Sequence, residues 1–295
     1  MRIRKVIAFP AILALGCALA GHAADWLNDR GDPHRAGWQT HEKLLTPANV
    51  KDLKLIWKLK LDDGAIATPA ILGHWVTNRG TKELVFAVSG SNTVYAVDAD
   101  LGRLSWQRHL ESGTTGSPAP PVLAPGPPPP PGKDEVDEDD DVRQAIRPVY
   151  VSGASGRRYR LHPTTGTDVE QPAEMHDSLP GSAADAQWED GWSFAAGPAG
   201  ITATRNGHRM WATPRMIAPA PPVVANRVVY ALSRGSQSAH ATLQAYEAKT
   251  GRLLYSSGDL ITSFVTASGL ALANGHVCFG THDGTLYCFG FPVDL

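Results

Sequence analysis

Apolar positions in this chain come in short alternating runs, and turn residues separate the runs. In 94–110, Tyr95 and Val97, then Leu104 and Trp106, alternate with smaller or polar residues. That two-residue period predicts a pair of half-buried strands. Between them, Asp98-Ala-Asp-Leu-Gly102 is turn chemistry, with an Asp that bonds its own backbone and a Gly that accepts positive φ. Trp106, four residues after the Gly, is a large apolar anchor.

The pattern recurs. Tyr159 precedes Gly166 by the step that separates Tyr95 from Gly102. Ala245-Tyr-Glu-Ala-Lys-Thr-Gly251-Arg-Leu-Leu-Tyr255 matches 96–106, with Tyr255 in place of Trp106, and Gly207 precedes Trp211 by the same four residues. The marker glycines 102, 166, 207 and 251 lie 64, 41 and 44 residues apart, and removing the insertion 119–141 brings the long spacing to 41. A period of about 40–50 residues is that of a four-stranded propeller blade. The predicted fold is therefore all-β, a β-propeller of about five blades.

The two ends complement each other. Leu53-Lys-Leu-Ile-Trp57-Lys-Leu-Lys-Leu61 aligns with 102–110, Trp on Trp, and reads as a fourth strand with no third strand before it. Gly284-Thr-Leu-Tyr-Cys-Phe289 reads as a third strand with no fourth after it. Pairing of 53–61 with 285–289 would close the last blade and remove two exposed sheet edges.

In chain order, blade one is predicted over 66–110, with strands at 67–72, 82–88, 93–97 and 103–110. Blade two starts near Thr114, is interrupted, resumes at 148–151 and runs to about Met175. Blade three takes strands from 188–192, 200–204 and 209–213. Blade four takes 222–224, 227–232, 241–247 and 252–256. Blade five takes 264–272, 276–280 and 285–289, with Asp283-Gly284 as a hairpin turn. Residues 24–52 form a polar leader with Trp26 and Trp38, in which Thr46-Pro-Ala-Asn49 signals a turn or helix start.

Arg2, Arg4 and Lys5 precede an apolar run over 6–19, and Gly21-His-Ala23 offers small residues for cleavage. Residues 1–23 read as a signal peptide, so the domain 53–295 is expected to be exported, to the periplasm or beyond. Ala14-Leu-Gly-Cys17 resembles a lipoprotein box only weakly, because the residue three before the Cys is Ala. No stretch reads as a membrane span. Without the signal cations, Lys and Arg number 24 against 29 acids. Residues 133–141 alone carry −6, and the remainder is near neutral. That balance excludes the basic footprint of nucleic-acid binding. The Pro-rich and acidic insertion, 118–141, reads as an extended solvated loop, with a docking stalk for a Pro-binding partner or a weak divalent-cation site as the alternatives.

The repeat 94–106 and the run Gly280-Thr-His-Asp-Gly-Thr-Leu-Tyr287 resemble the pyrroloquinoline-quinone-type (quinoprotein-like) propeller repeat. The leader 45–57 resembles the segment that opens the first blade of quinoprotein alcohol dehydrogenases. The resemblance implies that one blade's Trp packs on the Gly-bearing turn of a neighbour, through Trp57, Trp106, Trp211 and Tyr255. In the family's dehydrogenases the quinone lies in the central channel, between a Trp and a disulfide of adjacent cysteines, beside Ca²⁺ and a catalytic Asp. This chain has no Cys-Cys pair, no recognisable Glu/Asn/Asp calcium set, and about half the family's usual length. The same broad class includes a propeller lipoprotein that assists outer-membrane protein assembly.

The remaining chemistry is sparse. Cys278 and Cys288 lie on opposite arms of the last hairpin and read either as a cross-strand disulfide or as buried thiols. His34, His41, His74, His162, His176, His208, His240, His276 and His282 lack the spacing of a zinc site and read as surface or turn residues. Asp185, Glu189 and Asp190 with Trp188 and Trp192 form the richest carboxylate–aromatic group, which reads as a blade-edge loop, with sugar or quinone contact as the alternative. The expectation is a monomeric, non-catalytic binding or scaffold module. Its partner would be a protein or small ligand at a channel mouth. No catalytic residue, metal ligand or cofactor is assigned. The alternative is a small quinone- and calcium-dependent dehydrogenase, or a shortened relative of one.

Overall fold

The computed structural model describes residues 24–31, 34–77, 80–110, 118–123, 147–153, 155–169 and 185–292. The signal-peptide reading, Cys17 and most of the predicted insertion lie outside them. Among the described residues, five sheets follow one another along the chain. Blade one is Ala70–Thr77, Gly80–Val88, Thr93–Asp98 and Leu104–His109. Blade two is Val122–Leu123, Val149–Ser152 and Arg158–Leu161. Blade three is Asp185–Trp188, Trp192–Gly197, Gly200–Arg205 and His208–Ala212. Blade four is Val223–Ala225, Val228–Ser233, Thr242–Glu247 and Leu253–Ser256. Blade five is Ala271–Ala273, His276–Gly280 and Thr285–Gly290, completed by Lys54–Lys60 from the other end of the chain.

That last pairing is antiparallel, with Leu55 opposite Phe289, Leu59 opposite Leu286 and Lys60 opposite Thr285. The head of the chain thus supplies the fourth strand of the last blade. The first strands of neighbouring blades touch, one with five, one with two and three with four, so they are the innermost strands.

One device repeats on the outermost strands. A bulge falls at Ser105, Met210, Leu254 and Ile56, each immediately before Trp106, Trp211, Tyr255 and Trp57. A bulge re-aims the side chain that follows it. Opposite three of these aromatics stands an alanine, Ala96, Ala203 and Ala245, and opposite Trp57 stands Cys288. Small partners leave each ring free to lean on the next blade. The indole N–H of Trp57 donates to Ala99 O at 2.6 Å, that of Trp106 to Pro163 O at 2.7 Å, and that of Trp211 to Ala248 O at 2.8 Å. Each acceptor lies three residues before a turn glycine, Gly102, Gly166 or Gly251. In each turn the glycine N–H closes onto the residue four back, at 2.8–2.9 Å. The girdle implied by the resemblance is present at these three tryptophans. Blade five's fourth strand comes from the N-terminus, so no such turn precedes it. There the strand of Tyr255 packs on the short 3₁₀ turn Val50–Asp52. The Tyr255 ring meets Phe289 edge-on at 6.4 Å, and its burial pushes the phenol pKa up to about 12.

Several expectations are corrected. Residues 188–192 are not one strand: Glu189–Gly191 is a 3₁₀ turn joining two strands, with Asp190 and Gly191 at positive φ. The first strand of blade five is confined to Ala271–Ala273, not 264–272, because 264–270 crosses over from blade four as irregular chain. The boundary of the insertion also moves. Val122–Leu123, inside the predicted 118–141, pair with Val149–Tyr150 and are the innermost strand of blade two. A two-residue strand is invisible among prolines, yet Val and Leu suit a buried strand. Cys278 and Cys288 are directly opposite in register and joined as a disulfide, with both residues fully buried.

Candidate functional site

The leader does not run outside the first blade but crosses the middle of the molecule, and it meets the innermost strand of every blade. On blade one, Trp26 and Ile71 exchange both backbone hydrogen bonds, at 2.8 and 2.9 Å. On blade two, Leu123 N–H donates to Leu27 O at 2.8 Å. On blade three, Gln187 N–H donates to Ala36 O at 3.2 Å. On blade four, Trp38–Gln39 adds a short parallel strand to Val224–Ala225, and the Arg30 guanidinium donates to Pro222 O at 3.0 Å. On blade five, the Gln39 amide donates to Leu272 O at 3.1 Å.

Side chains fix the segment further. The Asp25 carboxylate accepts Gly73 N–H at 2.9 Å and pairs with Arg147 at 2.6 Å, tying blades one and two. Glu42 accepts N–H groups of Leu44, Leu45 and, on blade five, Gly275. Trp26 has no exposed surface, and Asn28, Arg30, Gln39 and Glu42 are all buried. Buried polar groups are tolerated when hydrogen-bonded; Gln39 and Glu42 meet that condition through blade five, whereas the indole N–H of Trp26 makes no hydrogen bond among the described residues.

Beside the leader, Trp38, Gln39, Thr40, Thr46 and Pro47 face Trp188, Glu189, Asn226 and Arg227 across a pocket of about 330 Å³. Trp188 belongs to an aromatic run. It lies 6.3 Å from both Trp192 and Phe194, and Phe194 lies 5.8 Å from Trp211. The structure therefore divides the carboxylate–aromatic group read from the sequence. Trp188 and Trp192 are core, Glu189 and Asp190 are exposed on the turn, and Trp188 and Glu189 reach the pocket. Nothing in the sequence announced Trp38 as their partner, because a leader residue meets blade three only through the tertiary fold.

A second group lies at the seam of blades five and one. Glu83 begins to enter blade one on its second strand, Asp100 sits in the turn that receives Trp57, and His276 starts the second strand of blade five. His276 Nδ1 is 3.3 Å from Glu83 Oε2, and Nε2 is 3.5 Å from Asp100 Oδ1. The turn is held to Glu83 by Ala99 N–H donating to Glu83 O at 3.0 Å. Burial pushes the Glu83 carboxyl up, the facing imidazole pulls it down, and Asp100 and Glu42 push it up again. His276 is 6 % exposed, so reading it as a surface or turn residue was wrong. His282, by contrast, does lie in a turn, stacked on Phe264 at 4.5 Å.

Just past the outer strand of blade five, Asp62 Oδ2 accepts hydroxyls from Ser89 and Ser91 in the central hairpin of blade one and, at 3.3 Å, from Tyr95. Burial alone would raise its pKa, but the bonds from Ser89, Ser91 and the backbone of Asp63 and Gly64 hold it below the ordinary value.

The residues present do not fit a quinone in the channel. The leader backbone and Trp26 occupy the middle, and the disulfide spans two strands of blade five, buried within the sheet rather than formed by adjacent residues. Among the described residues no helix is long and apolar enough to cross a membrane.

The quinohemoprotein alcohol dehydrogenase of Comamonas testosteroni is similar over 92 % of this chain and 81 % of its own, at 12 % identity and a TM-score of 0.40. BamB from Moraxella catarrhalis is similar over 82 % of this chain and 99 % of its own, at 15 % identity and a TM-score of 0.22. Quinohemoprotein alcohol dehydrogenase ADHIIG from Pseudomonas putida HK5 covers 78 % of this chain, which spans 26 % of that enzyme, at 17 % identity and a TM-score of 0.33. No curated protein matches the chain. A family model described as outer membrane protein assembly factor BamB matches residues 39–256, from the leader strand in the channel to the last strand of blade four. The chain belongs to that family of quinoprotein-like repeat propellers.

Proposed function

We propose that this chain is an exported, non-catalytic propeller that serves as a binding or scaffold module in outer-membrane protein assembly. The observation that carries the reading is the leader laid across the channel, bonded to the innermost strand of all five blades. In a propeller enzyme of this class that space must admit cofactor and substrate. Here it holds the chain's own backbone, so recognition falls to the rims. The family description supplies the kind of partner.

The pocket between Trp38 and Trp188, with Arg227 and Glu189 at its edge, suits a partner segment that inserts one apolar side chain between charged neighbours. Aromatic and Arg side chains are the residues on which binding energy concentrates. The test has two arms. A photo-crosslinking residue replacing Arg227 is expected to trap a component of the outer-membrane assembly machinery, and Trp38→Ala should diminish that product. Purified protein given pyrroloquinoline quinone and Ca²⁺ is expected to retain no quinone absorbance and to reduce no dye. Saturable quinone binding with turnover would overturn the scaffold reading in favour of the dehydrogenase.

A further inference from the structure

We propose that Glu83, Asp100 and His276 form a binding site for a divalent transition-metal ion of the zinc class, which fastens blade five to blade one. One ligand atom from each residue lies within 4.8 Å of the other two. At metal–ligand distances of about 2.0–2.2 Å, tetrahedral ligands stand about 3.3–3.6 Å apart, and His276 Nδ1 stands 3.3 Å from Glu83 Oε2.

The second observation concerns those same two atoms. Both are buried, and apart from the 3.3 Å contact with each other neither has a partner among the described residues. The imidazole side chain is 8 % exposed. Buried polar atoms are paired in the large majority of cases. An imidazole nitrogen and a carboxylate oxygen buried face to face with no other partner are placed as two ligands of a shared cation would be. The charges agree. The carboxylates of Glu83 and Asp100 face the imidazole, and Glu42 adds negative charge beside Glu83 from the leader side.

The donor set selects the metal. One nitrogen and two carboxylate oxygens suit Zn²⁺, whereas Ca²⁺ takes six to eight oxygens. Asp100 is the exposed member, its side chain 43 % accessible; its Oδ1 stands 3.5 Å from Nε2, so this mobile carboxylate turns toward the Nδ1 side to join the ion. It leaves an open side at which water completes the coordination. The three residues are 83, 100 and 276 in the chain, so no local motif joins them. The site exists only because the last blade is seated against the first.

The competing arrangement is a protonated His276 held between two carboxylates with no metal. Zinc titration separates the two, using purified, untagged protein against a chromophoric chelator. The expected result is one Zn²⁺ per chain at micromolar concentration, with no competition from millimolar Ca²⁺. His276→Gln and Asp100→Asn should each weaken binding by about tenfold or more. Saturating Zn²⁺ should raise the melting temperature of the native protein by about 5 °C, and by less in either variant. Asp100 is an exposed turn residue, so Asp100→Asn keeps the fold and the question stays answerable if His276→Gln unfolds. No saturable Zn²⁺ binding, or undiminished binding in Asp100→Asn and His276→Gln, overturns the site.

Discussion

Replacing Gly102 by Ala tests whether blades are held by aromatic docking. Gly102 has φ +62°, and a Cβ there would lie 2.5 Å from Trp57 Cγ and 2.7 Å from Trp57 Cβ. Two costs add. An L-residue in the left-handed region costs about 1 kcal/mol relative to glycine. Forcing extra volume against a packed ring costs about 1–3 kcal/mol more. Trp57 cannot retreat easily, since its indole is tied to Ala99 O and its strand is locked to Thr285–Gly290. The expected loss is about 2–4 kcal/mol, a fall in melting temperature of about 5–15 °C for a domain of this size. Gly258 is the control. Its φ is +52°, and a Cβ there meets nothing within 4 Å among the described residues. Gly258→Ala should therefore pay the backbone term alone, about 1 kcal/mol. Thermal and urea melts followed by circular dichroism measure both. Trp57→Ala with Gly102→Ala completes a double-mutant cycle, and a coupling of at least about 1 kcal/mol is expected from direct contact. Equal losses for Gly102→Ala and Gly258→Ala, or no coupling in the cycle, would refute the argument.

Three further outcomes follow from the geometry. Trp26→Ala leaves a cavity where the leader crosses the channel and should cost about 3–5 kcal/mol in urea denaturation; a loss under about 1 kcal/mol would mean that the leader is not seated there. Alkylation in denaturant without reductant should leave Cys278 and Cys288 unmodified, and reduction, which opens a loop with a sequence separation of 10, should cost about 2–3 kcal/mol. Asp62 has its folded pKa held below the unfolded value, so its contribution is present above about pH 4 and fades as pH falls through the folded pKa. Asp62→Asn should therefore destabilise the protein at pH 7, and the gap from the native chain should narrow below about pH 4; a gap that does not depend on pH would sink this account.

Much of the ring is legible in the sequence because its driving pattern is local. Gly102, Gly251 and the aromatic four residues later repeat within one hairpin, so spacing alone reveals them. The pairing of Lys54–Lys60 with Thr285–Gly290 is legible for a related reason: each end carries one part of the same unit. Three things are not legible. Val122–Leu123 is too short to show a period, and it takes its place as a strand from Val149–Tyr150 and from Leu27. The turn at Glu189–Gly191 is hidden because Trp188 and Trp192 bracket it with the residues expected of a strand. Glu83, Asp100 and His276 converge from two blades, and the search for metal spacing within one segment passes over them.

The leader ties these results together. A ring of few blades still leaves a gap along its axis, lined by innermost strands whose outward backbone groups need partners. In a catalytic propeller a bound cofactor can meet that need. In this chain a polypeptide segment does so, through backbone bonds at Trp26, Leu27, Ala36 and Gly37 and the amide of Gln39. The same segment then turns through Val50–Asp52, on which the strand of Tyr255 packs, and becomes the outer strand of blade five. Filling the axis and completing the last blade are thus done by one continuous stretch, 24–60. A ligand that displaced the leader from the axis would pull on the strand that completes blade five. Chemistry at the axis and integrity of the ring are therefore in opposition here, which is why binding is expected in the pocket between Trp38 and Trp188 and at the seam beside His276, and not in the space the leader itself fills.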